Sequence, residues 1–136
     1  ALCQQLHRYQ ATLRTCFTLE NFDNLIKNGR MRPIVGTLLR SLGIHIIADA
    51  TAEGTIHVAD KARGVGKTYR AITALMKASK DCTDAEVVIS HCENLEGAMA
   101  LKRQILADLP VKQVDLLSCR GLTSFYAMEK GLIVGY

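Results

Sequence analysis

Apolar residues recur along this chain with two periods, one near 3.6 and one of 2, and the switches between them set the order of its elements. Leu2, Leu6, Tyr9 and Leu13 form a helical stripe that is already under way at the first residue. Cys16-Phe17-Thr18-Leu19 follows as a short strand. The run from Asn21 to Met31 predicts a second, short helix: Asn21 caps the first amides, Phe22, Leu25 and Ile26 fall at i, i+3 and i+4, and Asn28-Gly29 supplies a left-handed exit. Beyond it lies the apolar segment Ile34 to Leu42.

The rest reads as a hairpin and a crossover. Ile44 to Ala48 and Thr55 to Val58 flank the turn-prone Ala52-Glu53-Gly54 and predict an antiparallel pair. A turn centred on Ala52 and Glu53 sets His45 opposite Asp60 and sends His57 to the other face. From Lys67 to about Lys80, Ile72, Leu75, Met76 and Ser79 repeat at helical spacing. Glu86 to Ser90 is a β-branched strand, and Asn94 caps a helix striped by Ala98, Leu101, Ile105 and Leu109. Pro110 stops that helix, and Val111 to Leu117 is the next strand, parallel to the previous one. Leu132 to Tyr136 closes the chain as a last strand. These elements predict an α/β fold: a two-layer α-β sandwich whose mixed sheet contains a hairpin and a parallel crossover unit, with helices packed on the sheet.

At 136 residues the chain suits one domain, expected over 1–136. A helical stripe in progress at Ala1 suggests a fragment of a longer protein. The net charge of +4 comes from seventeen Lys and Arg scattered among thirteen acids, which describes a solvated surface. With no Trp, three Phe and four Tyr, the chain lacks the stacking platforms of a nucleic-acid binder. Cys3, Cys16, Cys82, Cys92 and Cys119 are odd in number and irregular in spacing, so free thiols and a reducing cytoplasm are expected rather than a disulfide framework. No apolar run reaches the roughly 20 residues of a membrane-spanning helix.

Arg30 is the best-placed candidate for ligand chemistry. A guanidinium held just past a tight turn, beside an apolar segment, suits a carboxylate or phosphate whose body lies along that segment. Capping of carbonyls is the plainer use of the same side chain. Gly64-Val65-Gly66-Lys67-Thr68 imitates a phosphate-binding loop, but the first glycine of that motif is Lys61 here and the turn follows the second arm of a hairpin. Ser90-His91-Cys92 sets nucleophiles beside an imidazole, yet neighbours on a strand point to opposite faces, so His91 is expected to be structural. The histidines and cysteines show no metal-ligand spacing, and no cofactor is expected.

The strand Cys16 to Leu19, the run Leu19-Glu20-Asn21-Phe22-Asp23-Asn24-Leu25-Ile26-Lys27-Asn28-Gly29-Arg30-Met31, the basic turn Lys61 to Lys67, the strand Glu86 to Asn94 and the closing Gly131 to Tyr136 keep the order of one known family. Together they make nearly the whole chain resemble the C-terminal half of the DegV family of bacterial fatty-acid-binding proteins. The resemblance implies a lipid carrier, not an enzyme, which encloses a long-chain fatty acid between this domain and an N-terminal domain and presents the carboxylate to a fatty acid kinase. It implies that Arg30 neutralises the head group, that Ile34, Val35, Leu38 and Leu39 form part of the tail wall, and that Arg63 and Lys67 face the kinase. Many members carry a Gly-x-His-x-Gly-Pro-Gly run where this chain has Arg120 to Ala127. Tyr126 stands near the place of that His, so Ser124 and Tyr126 are the candidates to orient the carboxylate through their hydroxyls. The Ile-Lys-Pro expected earlier is Ile44-His45-Ile46. A phosphate-directed small-molecule enzyme using Arg30 and the Gly64 to Thr68 turn, or a pure interaction module, are the alternatives.

Overall fold

The computed structural model describes residues 1–32 and 43–136. Its elements run α1 (Leu2–Thr12), β1 (Thr15–Thr18), α2 (Asp23–Lys27), β2 (Ile44–Ala50), β3 (Ile56–Arg63), α3 (Val65–Ser79), β4 (Glu86–His91), α4 (Leu95–Asp108), β5 (Gln113–Ser118), α5 (Leu122–Ala127) and β6 (Leu132–Gly135). Six strands make one sheet in the order β3-β2-β1-β6-β4-β5, mixed because β4 and β5 pair in parallel while the other neighbours are antiparallel. The hairpin and the crossover expected from the residue pattern are therefore both present.

Alternation along the strands divides the apolar residues between two faces. On one face Cys16, Ile47, Val87, Ile89, Val114, Leu132 and Val134 are sealed by Ile72 and Met76 of α3 and by Ala98, Leu101 and Ile105 of α4. The Thr73 hydroxyl donates to Asp108 at 2.7 Å and joins those two helices. On the other face Ile46 and Ala48 are buried, and Phe17, Ile56, Val58 and Ile133 are half-buried around Phe22 and Leu25 of the α2 segment and Ala127 of α5. Helix α1 buries none of its residues, and its stripe of Leu2, Leu6 and Tyr9 is at least half exposed.

The hairpin register differs from the expectation. His45 pairs with Ala62 and Ile47 with Asp60, a shift made partly in the turn, where Ala50 pairs with Ile56, and partly at Ala59, which is left unpaired as a bulge between Val58 and Asp60. His57, on the turn side of the bulge, pairs with Asp49 and contacts its carboxylate at 2.9 Å, so it lies on the same face as His45 rather than the opposite one.

Candidate functional site

The α2 segment ends as its residues require. Asn21 Oδ1 accepts the Asp23 N–H at 2.8 Å at the start. At the end Gly29 adopts φ +67°, its N–H donates to the Ile26 carbonyl at 3.0 Å, and the Arg30 N–H donates to the Leu25 carbonyl at 2.8 Å. Two reciprocal bonds of this kind define a Schellman stop, and they fix the backbone of Arg30 against the buried Leu25. The Asn24 side-chain amide donates to the Phe125 carbonyl at 2.7 Å and ties α2 to α5. The segment 120–127, read from sequence as a loop, thus contains a short helix, whose Phe125 and Tyr126 rings meet edge to face at 5.1 Å.

Between these helices and the open face of the sheet lies a cavity of about 310 Å³. Phe17, Leu19, Leu25, Ile56, Ala127 and Ile133 form its walls, Gly54 its rim, and Arg30 and Tyr126 are its polar members. A second hollow, running toward Met31 and Val58, shares Arg30 and Ile56 with it. Among the described residues the lining holds a permanent cation and a phenol but no Ser, Cys, His, Asp or Glu, an arrangement that can hold an apolar body with an acidic end.

Arg30 and Tyr126, expected at the site, line the same cavity; Ser124, two residues earlier on α5, is half-buried and is not part of the lining. Ile34, Val35, Leu38 and Leu39 lie outside the described residues. Arg63 and Lys67 are exposed where β3 gives way to α3, at the far end of β3 from Ile56. The turn between them serves the fold, since Gly64 takes φ +84° and the Thr68 hydroxyl donates to the Gly64 carbonyl at 3.0 Å. His91 is buried, and its Nδ1 accepts the Asn94 N–H at 3.4 Å, a structural use of the ring. All five cysteines are unbridged. The wall residues Phe17, Ile56 and Ile133 were not anticipated. The available signal was that Phe17 and Ile133 interrupt strands whose alternate residues already face a core, which marks a strand apolar on both sides.

The DegV family model, described as uncharacterised protein, DegV family, matches residues 1–132. The chain belongs to the DegV family. A DegV domain-containing protein of Streptococcus gordonii is 32% identical over 136 residues, which is 99% of this chain and 48% of that one. Among solved structures, the Streptococcus pneumoniae Fatty Acid Kinase (Fak) B3 protein loaded with linoleic acid is 32% identical, with a TM-score of 0.87 over 98% of this chain and 47% of its own. A DegV family protein from Eubacterium eligens loaded with heptadecanoic acid is 27% identical, with a TM-score of 0.89 over 97% of this chain and 48% of its own. The mixed α/β architecture is that of these DegV relatives. The chain spans about half the length of the relatives it matches. Among the described residues no helix is long and apolar enough to cross a membrane.

Proposed function

We propose that this chain is one wall of a fatty-acid carrier in the cytoplasm, that it acts by binding rather than catalysis, and that it presents the bound carboxylate to a fatty acid kinase. The observation that carries this reading is the apolar cavity on the open sheet face with Arg30 and Tyr126 among its lining. The linoleic and heptadecanoic acids held by two relatives of the same fold support it. Arg30 pairs with the carboxylate and the Tyr126 hydroxyl donates to it, while Phe17, Leu25, Ile56 and Ile133 cover the first part of the tail. Ser124 serves the head group only after a shift of α5 into the cavity.

Energetics assign the roles. Fourteen buried methylenes at about 0.8 kcal/mol each supply ~10 kcal/mol of gross driving force, so the tail dominates affinity and Arg30 selects the acid end. Among the described residues the cavity of about 310 Å³ is open on one side, and a second domain of the same protein is the proposed cover for the rest of the tail. The unpartnered stripe of α1 is a second apolar surface available to that domain. Exposed Arg63 and Lys67 at the far end of β3 are the proposed kinase-facing cations.

Native mass spectrometry of the full-length protein purified from cells tests the reading. A retained fatty acid is the expected result; an empty protein that turns over a phosphorylated metabolite overturns it.

A further inference from the structure

Two of the cysteines stand side by side. β4 and β5 run parallel with His91 opposite Ser118, and the Cys119 N–H donates to the His91 carbonyl at 2.8 Å, which carries the ladder one residue past the strands. The next pair in that register is Cys92 and Cys119. Paired residues of neighbouring strands point to the same face, and both cysteines pack against the apolar cluster of the open face. Burial and, secondarily, the neighbouring Cys92 sulfur hold the Cys119 thiol above its ordinary range. Bonded strands lie about 4.8 Å apart, inside the roughly 4.4–6.8 Å that separates the Cα atoms of disulfide-bonded cysteines.

Packing accounts for Cys16 and Cys82, which are buried in the helix-covered core. Cys92 and Cys119 are only half-buried, so a small reagent reaches them in the folded protein. They also frame one segment. Cys119 stands at its start, just before Arg120 and α5. At its end the Lys130 N–H donates to the Cys92 carbonyl at 2.8 Å, and the Cys92 N–H donates to the Gly131 carbonyl at 3.0 Å. Residues 120–130 are thus a loop whose two ends rest on these two cysteines, and it carries Tyr126, a wall of the apolar cavity.

We propose that Cys92 and Cys119 are a reversible redox site, which hydrogen peroxide closes to a disulfide and which thereby locks the 120–130 segment beside the apolar cavity. The thiolate of one cysteine attacks the peroxide O–O bond, takes one oxygen as a sulfenic acid and expels hydroxide, which leaves as water once protonated. The other thiol attacks the sulfenic sulfur, the S–S bond forms, and the second oxygen leaves as water. The two sulfurs lose two electrons and the peroxide gains them. A small dithiol reverses the step by exchange and is itself oxidised. Closing the bond draws the two Cβ atoms from about the strand spacing of 4.8 Å to about 3.8 Å, so the start of the segment moves about 1 Å toward its end. The disulfide follows from the register alone, whereas its effect on lipid rests on the carrier reading.

The experiment treats the full-length protein with hydrogen peroxide, blocks the remaining thiols with iodoacetamide and maps peptides by mass spectrometry without reduction. A linked Cys92–Cys119 peptide pair is expected, lost after dithiothreitol and absent from Cys92→Ser and from Cys119→Ser. Amide hydrogen exchange across residues 122–128 should slow about threefold in the oxidised protein and stay unchanged in Cys92→Ser treated alike. Peroxide that leaves the two residues unlinked, as free thiols or as sulfinic acids, overturns the proposal. A linked pair with unchanged exchange overturns the lock. On the carrier reading a fatty acid should also dissociate severalfold more slowly from the oxidised protein. Absence of fatty-acid binding in both redox states overturns that reading, and the linked pair would still support the redox site.

Discussion

The two faces of the sheet are made by the same strands, one residue out of phase, and they are finished differently. On the helix-covered face Cys16, Ile47, Val87, Ile89 and Val134 are fully buried beneath α3 and α4. On the other face Phe17, Ile56, Val58 and Ile133 are equally apolar but half-buried, and among the described residues they are covered at one end by α2 and α5 and otherwise border cavities. Apolar residues that fill a core and apolar residues that border a cavity look alike in sequence. What separates them, among the described residues, is whether long helices of the same chain reach over them.

The largest effect should come from cutting one residue on each face. Ile89→Ala removes a side chain with 0% exposure in a closed core and should cost about 3–4 kcal/mol of stability, transfer and cavity terms together. Ile133→Ala, on the next strand but one face over, borders a cavity that already exists and should cost about 1 kcal/mol while weakening fatty-acid binding. Urea unfolding of both variants is the measurement. Equal losses with unchanged lipid affinity would make the open face an ordinary core and remove the distinction.

Much of this division was legible before the structure, and its failures have identifiable causes. The elements from Lys67 to Leu117 follow periodicity and caps closely, with Asn94 capping α4 as its residue type requires. The hairpin was legible as a pair but not in register, because neither the longer turn, with Ala50 paired to Ile56, nor the bulge at Ala59 is announced by a residue type. The position of Arg30 beside the cavity was legible because a local motif, the Gly29 stop, announces it. Tyr126 was found through the family resemblance. The cavity walls were missed because Phe17, Ile56 and Ile133 come from three strands distant in sequence. Local signals survive in sequence, whereas sites assembled by topology do not.

Head-group recognition sharpens the contrast next. In the full-length protein Arg30→Ala should weaken binding of a fatty acid by about 2 kcal/mol, the worth of a charge-assisted hydrogen bond in a half-open site, and leave the fatty alcohol of equal length unchanged. Arg30→Lys should recover only part, since an ammonium cannot grip a carboxylate with two parallel bonds. Equal loss for acid and alcohol would mean that Arg30 supports the open face rather than reading its ligand.

Cys16 reports the closed face through pH. Burial, and secondarily the Asp49 carboxylate paired beside it, push its thiol from the ordinary 9.0 to about 12. The folded value lies above the unfolded one, so the protonated thiol's contribution is complete below pH 9 and is lost as the pH rises toward 12. Between pH 8 and 10.5 the protein should lose about 2 kcal/mol that a Cys16→Ala variant does not lose over the same interval, as read from urea unfolding at each pH. Alkylation should agree, with Cys3 on the exposed α1 modified rapidly and Cys16 only on unfolding. Parallel pH profiles for the two proteins would show that solvent reaches the face taken here as sealed.

The smallest expected effect falls where the open face is tethered. Gly29 takes φ +67° with nothing within 4 Å of the position a Cβ would occupy, so Gly29→Ala meets no clash and costs only the left-handed conformation, about 1 kcal/mol. That cost should not stay confined to stability. The Schellman bonds from Gly29 and Arg30 to Ile26 and Leu25 set where the guanidinium leaves the backbone, and a strained stop releases them in part. Fatty-acid affinity should therefore fall more for Gly29→Ala than for Asn28→Ala, which leaves the left-handed residue alone, even when the two are matched in stability. A Gly29→Ala protein that binds the acid as tightly as the parent would show that Arg30 reaches the carboxylate from a flexible segment, and that the turn serves the fold of α2 only.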